Sequence, residues 1–135
     1  MIKNYLKIFS VISFIVLVFN CSSKNSIPNI QTRDSNESTL TVDIDSPQPE
    51  YTAIFQLLFR GIADSSQKVP LIKVSEDAAM NSNPAYFDSL LKKERYKTFI
   101  TSSTRNSDSS HRVVINLSAL KSDLEYHAII RKFGY

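Results

Sequence analysis

Residues 51–60 read YTAIFQLLFR and are followed by Gly61; the reading of this run as a strand decides the predicted fold. Phe55, Leu57 and Phe59 alternate onto one face, while Ile54 and Leu58 share the other with Gln56 and Arg60. Both faces are largely apolar, which predicts a central strand. Gly61 ends it, and residues 63–68 read as a polar loop.

Working outward, residues 39–45 (TLTVDID) alternate strictly between polar and apolar, the pattern of a half-buried strand, with an extended arm as the other reading. Pro47 and Pro49 then interrupt the chain. Downstream, Asn83 and Pro84 mark a helix start, because Asn caps free amides and Pro suits the first helical turn. Phe87, Leu90 and Leu91 fall on one face of that helix with Tyr86 beside them, and it is predicted to end between Arg95 and Lys97. Residues 96–101 and 112–117 read as two strands joined by the polar loop 102–110, with Val113, Ile115 and Leu117 on one face. Ser118 caps a last helix in which Leu120, Leu124, His127 or Ala128, and Arg131 recur at helical spacing, with Ile130 near the seam. Arg131 and Lys132 fall in its final turn and Gly134 just beyond. The order β-β-α-β-β-α predicts an α+β fold: a small antiparallel sheet with two helices packed on one face.

The first twenty residues are of a different kind. Lys3 and Lys7 precede an apolar run from Ile8 to Phe19 broken only by Ser10 and Ser13, the layout of an export signal. The run is shorter than the roughly 20 residues a membrane-spanning helix needs. Its end, Leu17-Val18-Phe19-Asn20-Cys21, resembles the lipobox of bacterial lipoproteins in Val18 and Cys21. That resemblance implies cleavage before Cys21 and lipid on its sulfur. Asn20 stands where Gly, Ala or Ser is usual, and Phe19 is bulkier than common; an uncleaved signal anchor is the competing reading. Several acyl chains on one residue hold a protein firmly to a bilayer, whereas a single chain binds only marginally. Ser22 rather than Asp after the cysteine points, by analogy with Gram-negative sorting, to the outer membrane. The absence of an acidic run in residues 22–26 favours its periplasmic face over the cell surface. Residues 22–38 hold only isolated apolar side chains, Ile27 and Ile30, and read as a flexible polar spacer. The expected organisation is a signal at 1–20, lipidated cysteine and tether at 21–38, and one small domain at 39–135.

Composition narrows the function classes. The chain carries 16 Lys and Arg against 13 Asp and Glu, and removing Lys3 and Lys7 with the signal lowers the net charge from +3 to +1. The pI near 9.0 is therefore no case for nucleic acid. Lys92, Lys93, Arg95 and Lys97 cluster around a predicted helix end, where cations suit the dipole. Cys21 is the one cysteine, so no disulfide forms within the chain.

No constellation of nucleophile and base stands out. His111 and His127 are the two histidines, without partners at metal-ligand spacing, and no metal or cofactor is expected. With two glycines in all, a phosphate-cradling loop is out of reach. Asp88 with Glu94, and Asp123 with Glu125, are the candidate acid–base pairs, although solvated helix faces account for them as well. Arg60, beside the turn at Gly61, is the candidate binding residue, suited to clamp a carboxylate, with a capped strand end as the commoner reading. The tyrosines and phenylalanines read chiefly as core, with interface as the other reading. The segments FQLLFRGI, PLI, AYFDSLL, RYKTFI, VVINLSALKSDLE and IIRKFG resemble, in order and spacing, small uncharacterised envelope lipoproteins of Bacteroidota, a resemblance that names no activity. The expected function is a membrane-anchored, non-enzymatic binding or accessory module for another envelope protein. A small envelope enzyme or ligand-binding protein acting on cell-wall or glycan material is the alternative.

Overall fold

The computed structural model describes residues 27–131, so the signal, Cys21, Lys132 and Gly134 lie outside the described residues. The fold is α+β. Four strands, β1 (Asn29–Ser35), β2 (Thr39–Asp45), β3 (Ile100–Arg105) and β4 (His111–Asn116), form one antiparallel sheet in the order β1-β2-β4-β3. Between β2 and β3 run α1 (Pro49–Phe59), α2 (Glu76–Ser82) and α3 (Pro84–Phe87). The last of these passes into a π-helical turn at Asp88–Lys92 and then a 3-10 helix at Arg95–Phe99. Helix α4 (Leu117–Tyr126) follows β4 directly.

Leu40, Val42 and Ile44 on β2 and Val113 and Ile115 on β4 project to one face and are fully buried. Helix residues, among them Ile54, Leu57, Leu58, Leu90, Leu120 and Leu124, complete the same core. The opposite face carries Thr41, Asp43, Arg112 and Asn116 with Val114 among them, and is mainly polar. The helices therefore cover one face, as the β2 and β4 alternation predicts.

The run at 51–60 is a helix, not the predicted central strand. Ala53, Ile54, Leu57 and Leu58 are its buried residues, a spacing of one turn, while Phe59 lies at the margin of the core and Phe55 packs against the Tyr51 and Phe59 rings. Pro49 sits in its first turn with Glu50, and Gly61 follows its end with φ of +80°. The free carbonyls of its last turn are met by the returning chain, Leu71 N–H donating to Leu57 O at 3.0 Å and Ile72 N–H to Leu58 O at 2.9 Å.

A second correction concerns the spacer. The first described strand begins at Asn29, inside the segment read as tether: β1 pairs with β2 and packs Ile30 against the core. One apolar residue suffices there, since the ladder and the loop at 62–67 hold the strand. Thr32 Oγ1 donates to Ala63 O at 2.7 Å, and Ser66 N–H donates to Ser35 Oγ at 2.6 Å.

Pro84 does open a helix, but the Asn83 side chain makes no cap bond. The π-turn that follows, closed by Lys93 N–H to Asp88 O at 3.0 Å, lets the adjacent Leu90 and Leu91 both reach the core. The third strand starts at Ile100, four residues later than read, because residues 95–99 form the 3-10 helix. In α4 the capping side chain is Asn116 rather than Ser118, and the helix stops at Tyr126.

Candidate functional site

Asp123 on α4 stands at the centre of the first polar cluster. Arg95, opening the 3-10 helix, forks it with Nη1 at 2.9 Å from Oδ1 and Nη2 at 3.1 Å from Oδ2. Tyr86 on α3 donates its hydroxyl to Oδ2 at 2.7 Å, and His127 Nε2 lies 3.8 Å from Oδ1. The Arg95 guanidinium also lies over the Tyr86 ring, 5.2 Å from its centroid, and the Tyr86 and His127 rings are 5.0 Å apart. Burial raises the Asp123 carboxyl, but hydrogen bonds from Arg95 and Tyr86 outweigh it and hold the group below its ordinary range. Burial, reinforced by the bond to Asp123, pushes the Tyr86 phenol upward. Ionised Asp123 and protonated Tyr86 thus suit a clamp that ties three helical segments together. A groove of about 460 Å³ opens over it, lined by Tyr86, Ser89, Arg95 and His127, with Tyr126 exposed beside His127 at 5.1 Å between rings.

The second cluster lies on the open sheet face. A bulge in β1 after Thr32 turns Arg33 toward Asp43 on β2, whose carboxylate also accepts from Arg112 on β4. Arg112 Nε donates to Oδ1 at 2.8 Å and Nη2 to Oδ2 at 3.0 Å. The Arg112 hydrogen bonds, opposed by burial and helped by Arg33, hold the Asp43 carboxyl well below the usual carboxylate range.

A third feature is a cleft of about 340 Å³ between the start of α1, the 3-10 helix and the inner side of β3. Glu50, Tyr51, Tyr96, Lys97, Ser103 and His111 contribute to its walls, and the Nδ1 atom of His111 is buried without a hydrogen-bond partner. The fourth is an apolar groove of about 420 Å³ formed by Leu71, Ile72, Val74, Ile129 and Ile130.

The sequence-predicted residues are dispersed. Arg60 is exposed at the C-terminal end of α1 and lines none of these four features. Asp88 is engaged by Lys92 at 3.5 Å and Lys93 at 3.4 Å, and Glu94 by Lys97 at 2.7 Å. His111 and His127 belong to separate surfaces. Among the described residues no three His, Cys, Asp or Glu side chains gather at metal-binding spacing, and no helix is long and apolar enough to cross a membrane. Sequence reading missed Arg33, Asp43 and Arg112 as a set, because they come from three strands whose register is not written in any one of them. No family model, curated protein or solved structure matches the chain.

Proposed function

We propose that the chain is a lipid-anchored envelope protein, held through Cys21, whose domain binds another envelope protein close to the membrane surface. The supporting observation is the start of β1 at Asn29: seven residues, 22–28, separate the cysteine from the sheet. At about 3.5 Å per residue that link spans at most roughly 30 Å in any conformation. An anchor so close to the first strand holds the domain at the lipid headgroups, where its natural partners are proteins of the same membrane. We place it on the periplasmic face of the outer membrane, acting by binding rather than catalysis. The test is metabolic labelling with a fatty-acid probe. Label and membrane retention are expected for the full chain and lost in Cys21→Ala; a label that persists in the variant overturns the anchor.

A second reading, a ligand-binding module or small enzyme for cell-wall or glycan material, is favoured by one observation, the groove over Tyr86 and His127. The tilted Tyr86 and His127 rings beside Arg95 and Ser89 suit a sugar face and its hydroxyls. Titration with muropeptides, followed by chemical shifts at Ser89 and His127, separates the two: saturable shifts there establish this reading, and none removes it.

A further inference from the structure

The two edges of the sheet differ in what lies beside them. The loop at 62–67 flanks β1, bonded to the Thr32 and Ser35 side chains. Among the described residues the backbone of β3 pairs with β4 alone, and its outer side makes no backbone hydrogen bond to another segment. Natural edge strands are commonly guarded by charge, proline or a bulge. Here a bulge sits at the beginning, between Ile100 and Ser102, and Arg105 at the end, leaving Ser102, Ser103 and Thr104 small, uncharged and exposed.

Ser103 belongs to this edge and also to the cleft that reaches toward α1. Inside the cleft Lys97 is consumed by Glu94 at 2.7 Å, whereas Glu50, half-buried in the first turn of α1, has no ion-pair partner among the described residues. Glu50 and Glu94 thus face one cation, Lys97, and the cleft carries a net negative charge with Tyr51 among its walls.

We propose that β3 and this cleft form a docking groove for an extended segment of a partner protein carrying a lysine or arginine. The segment adds to β3 as a fifth strand, its backbone pairing with the open edge. Its cationic side chain enters the cleft, the aliphatic stem lying across Tyr51 and the charge meeting Glu50. This rests on the protein-binding reading above and gives it a surface and a partner chemistry.

The experiment is selection of short random peptides displayed on phage against the full chain in lipid nanodiscs, with the enriched peptides resynthesised and mapped by amide hydrogen exchange. The expected result is enrichment of extended sequences with a fixed Lys or Arg, slowed exchange at Thr101 to Thr104, and roughly fivefold or greater weakening in Glu50→Lys. Ser103→Pro should abolish binding while amides of β2 keep their protection, which shows that the fold survives. Enriched peptides without a basic residue, protection elsewhere, or no enrichment overturns the groove. A photo-crosslinker at Ser103 and another at Tyr126, in cells, distinguish the two failures. Specific adducts from Tyr126 alone leave the protein-binding reading standing without this groove, and adducts from neither remove both.

Discussion

Asp43 and Arg112 lie directly opposite each other across β2 and β4, and Arg112 holds both oxygens of the carboxylate at 2.8 and 3.0 Å. Arg33 joins from β1, so one carboxylate links three strands on the face that no helix covers. The Asp43 side chain is 5% exposed, but what covers it is two half-exposed guanidiniums rather than apolar core. Water remains near, so the gain is that of charged hydrogen bonds and not of a deeply buried ion pair. Asp43→Asn is expected to lower the melting temperature by a few degrees. The pH dependence has a definite sign. The folded-state carboxyl titrates below the ordinary value of 3.8, so its contribution is fully present above that value and lost as pH falls through the folded one. Urea denaturation between neutral pH and pH 2 should show stability declining below about pH 4. The decline should be shallower in Asp43→Asn, with a residue from Asp123, which is shifted in the same direction.

Gly61 is where the chain leaves α1, at φ of +80°, and a Cβ there would lie 2.1 Å from the Lys68 carbonyl oxygen. Gly61→Ala must therefore adopt an unfavourable backbone and also push the 68–69 segment away. That segment leads into Leu71 and Ile72, which satisfy the carbonyls of α1. A loss of roughly 2–4 kcal/mol is expected, read as a lowered urea midpoint. A midpoint unchanged from the parent would show that the loop yields freely.

The sheet was legible where one strand alternates and one face is buried, as in Thr39–Asp45 and in Val113 and Ile115, whereas Leu117, read as the end of that strand, opens α4. The α+β class holds, but the order β-β-α-β-β-α with two helices does not: three helices stand between β2 and β3, β1 comes from the polar spacer, and the supposed central strand is α1. In YTAIFQLLFR, aromatic residues at 55 and 59 flank buried pairs at 53–54 and 57–58, so strand and helix templates fit the same apolar positions. Pro49 and Glu50 before the run were the helix signals that decide it. For β1 no apolar pattern exists, because an edge strand is held by its neighbour's backbone. The polar clusters were the least readable part: Asp43 meets Arg112 through strand register, and Asp123 meets Arg95 through helix packing, 28 residues away along the chain.

Tyr86 and Arg95 share one acceptor, so their contributions should not add. Tyr86→Phe removes the 2.7 Å hydroxyl bond yet leaves the ring beneath Arg95, for an expected cost of about 1 kcal/mol. Asp123→Asn weakens both partners at once. In a double-mutant cycle the pair should be less destabilising than the sum of its parts by about 0.5–1 kcal/mol. Strict additivity, measured by urea denaturation, would mean that the hydroxyl and the carboxylate act independently.

Helix α4 ends in a way its residues conceal. Ala128 N–H donates to Glu125 O at 3.0 Å and Ile129 N–H to Leu124 O at 2.9 Å, the paired bonds of a Schellman turn. That turn places Ala128 in the left-handed region, at φ of 56°, where glycine is the usual occupant. Alanine is the best helix former, so the sequence reads as though α4 continued toward Gly134. The structure turns it instead at Ala128, which is exposed and has little packing to lose. Relief of the left-handed strain, about 1–2 kcal/mol, exceeds the added freedom glycine brings to the unfolded chain, about 0.4–1 kcal/mol. Ala128→Gly is therefore expected to stabilise the domain by roughly 0.5–1 kcal/mol. A raised melting temperature checks it, together with slower amide exchange at Ile129, whose N–H closes the turn. A lowered temperature would instead mean that α4 runs on through Ala128.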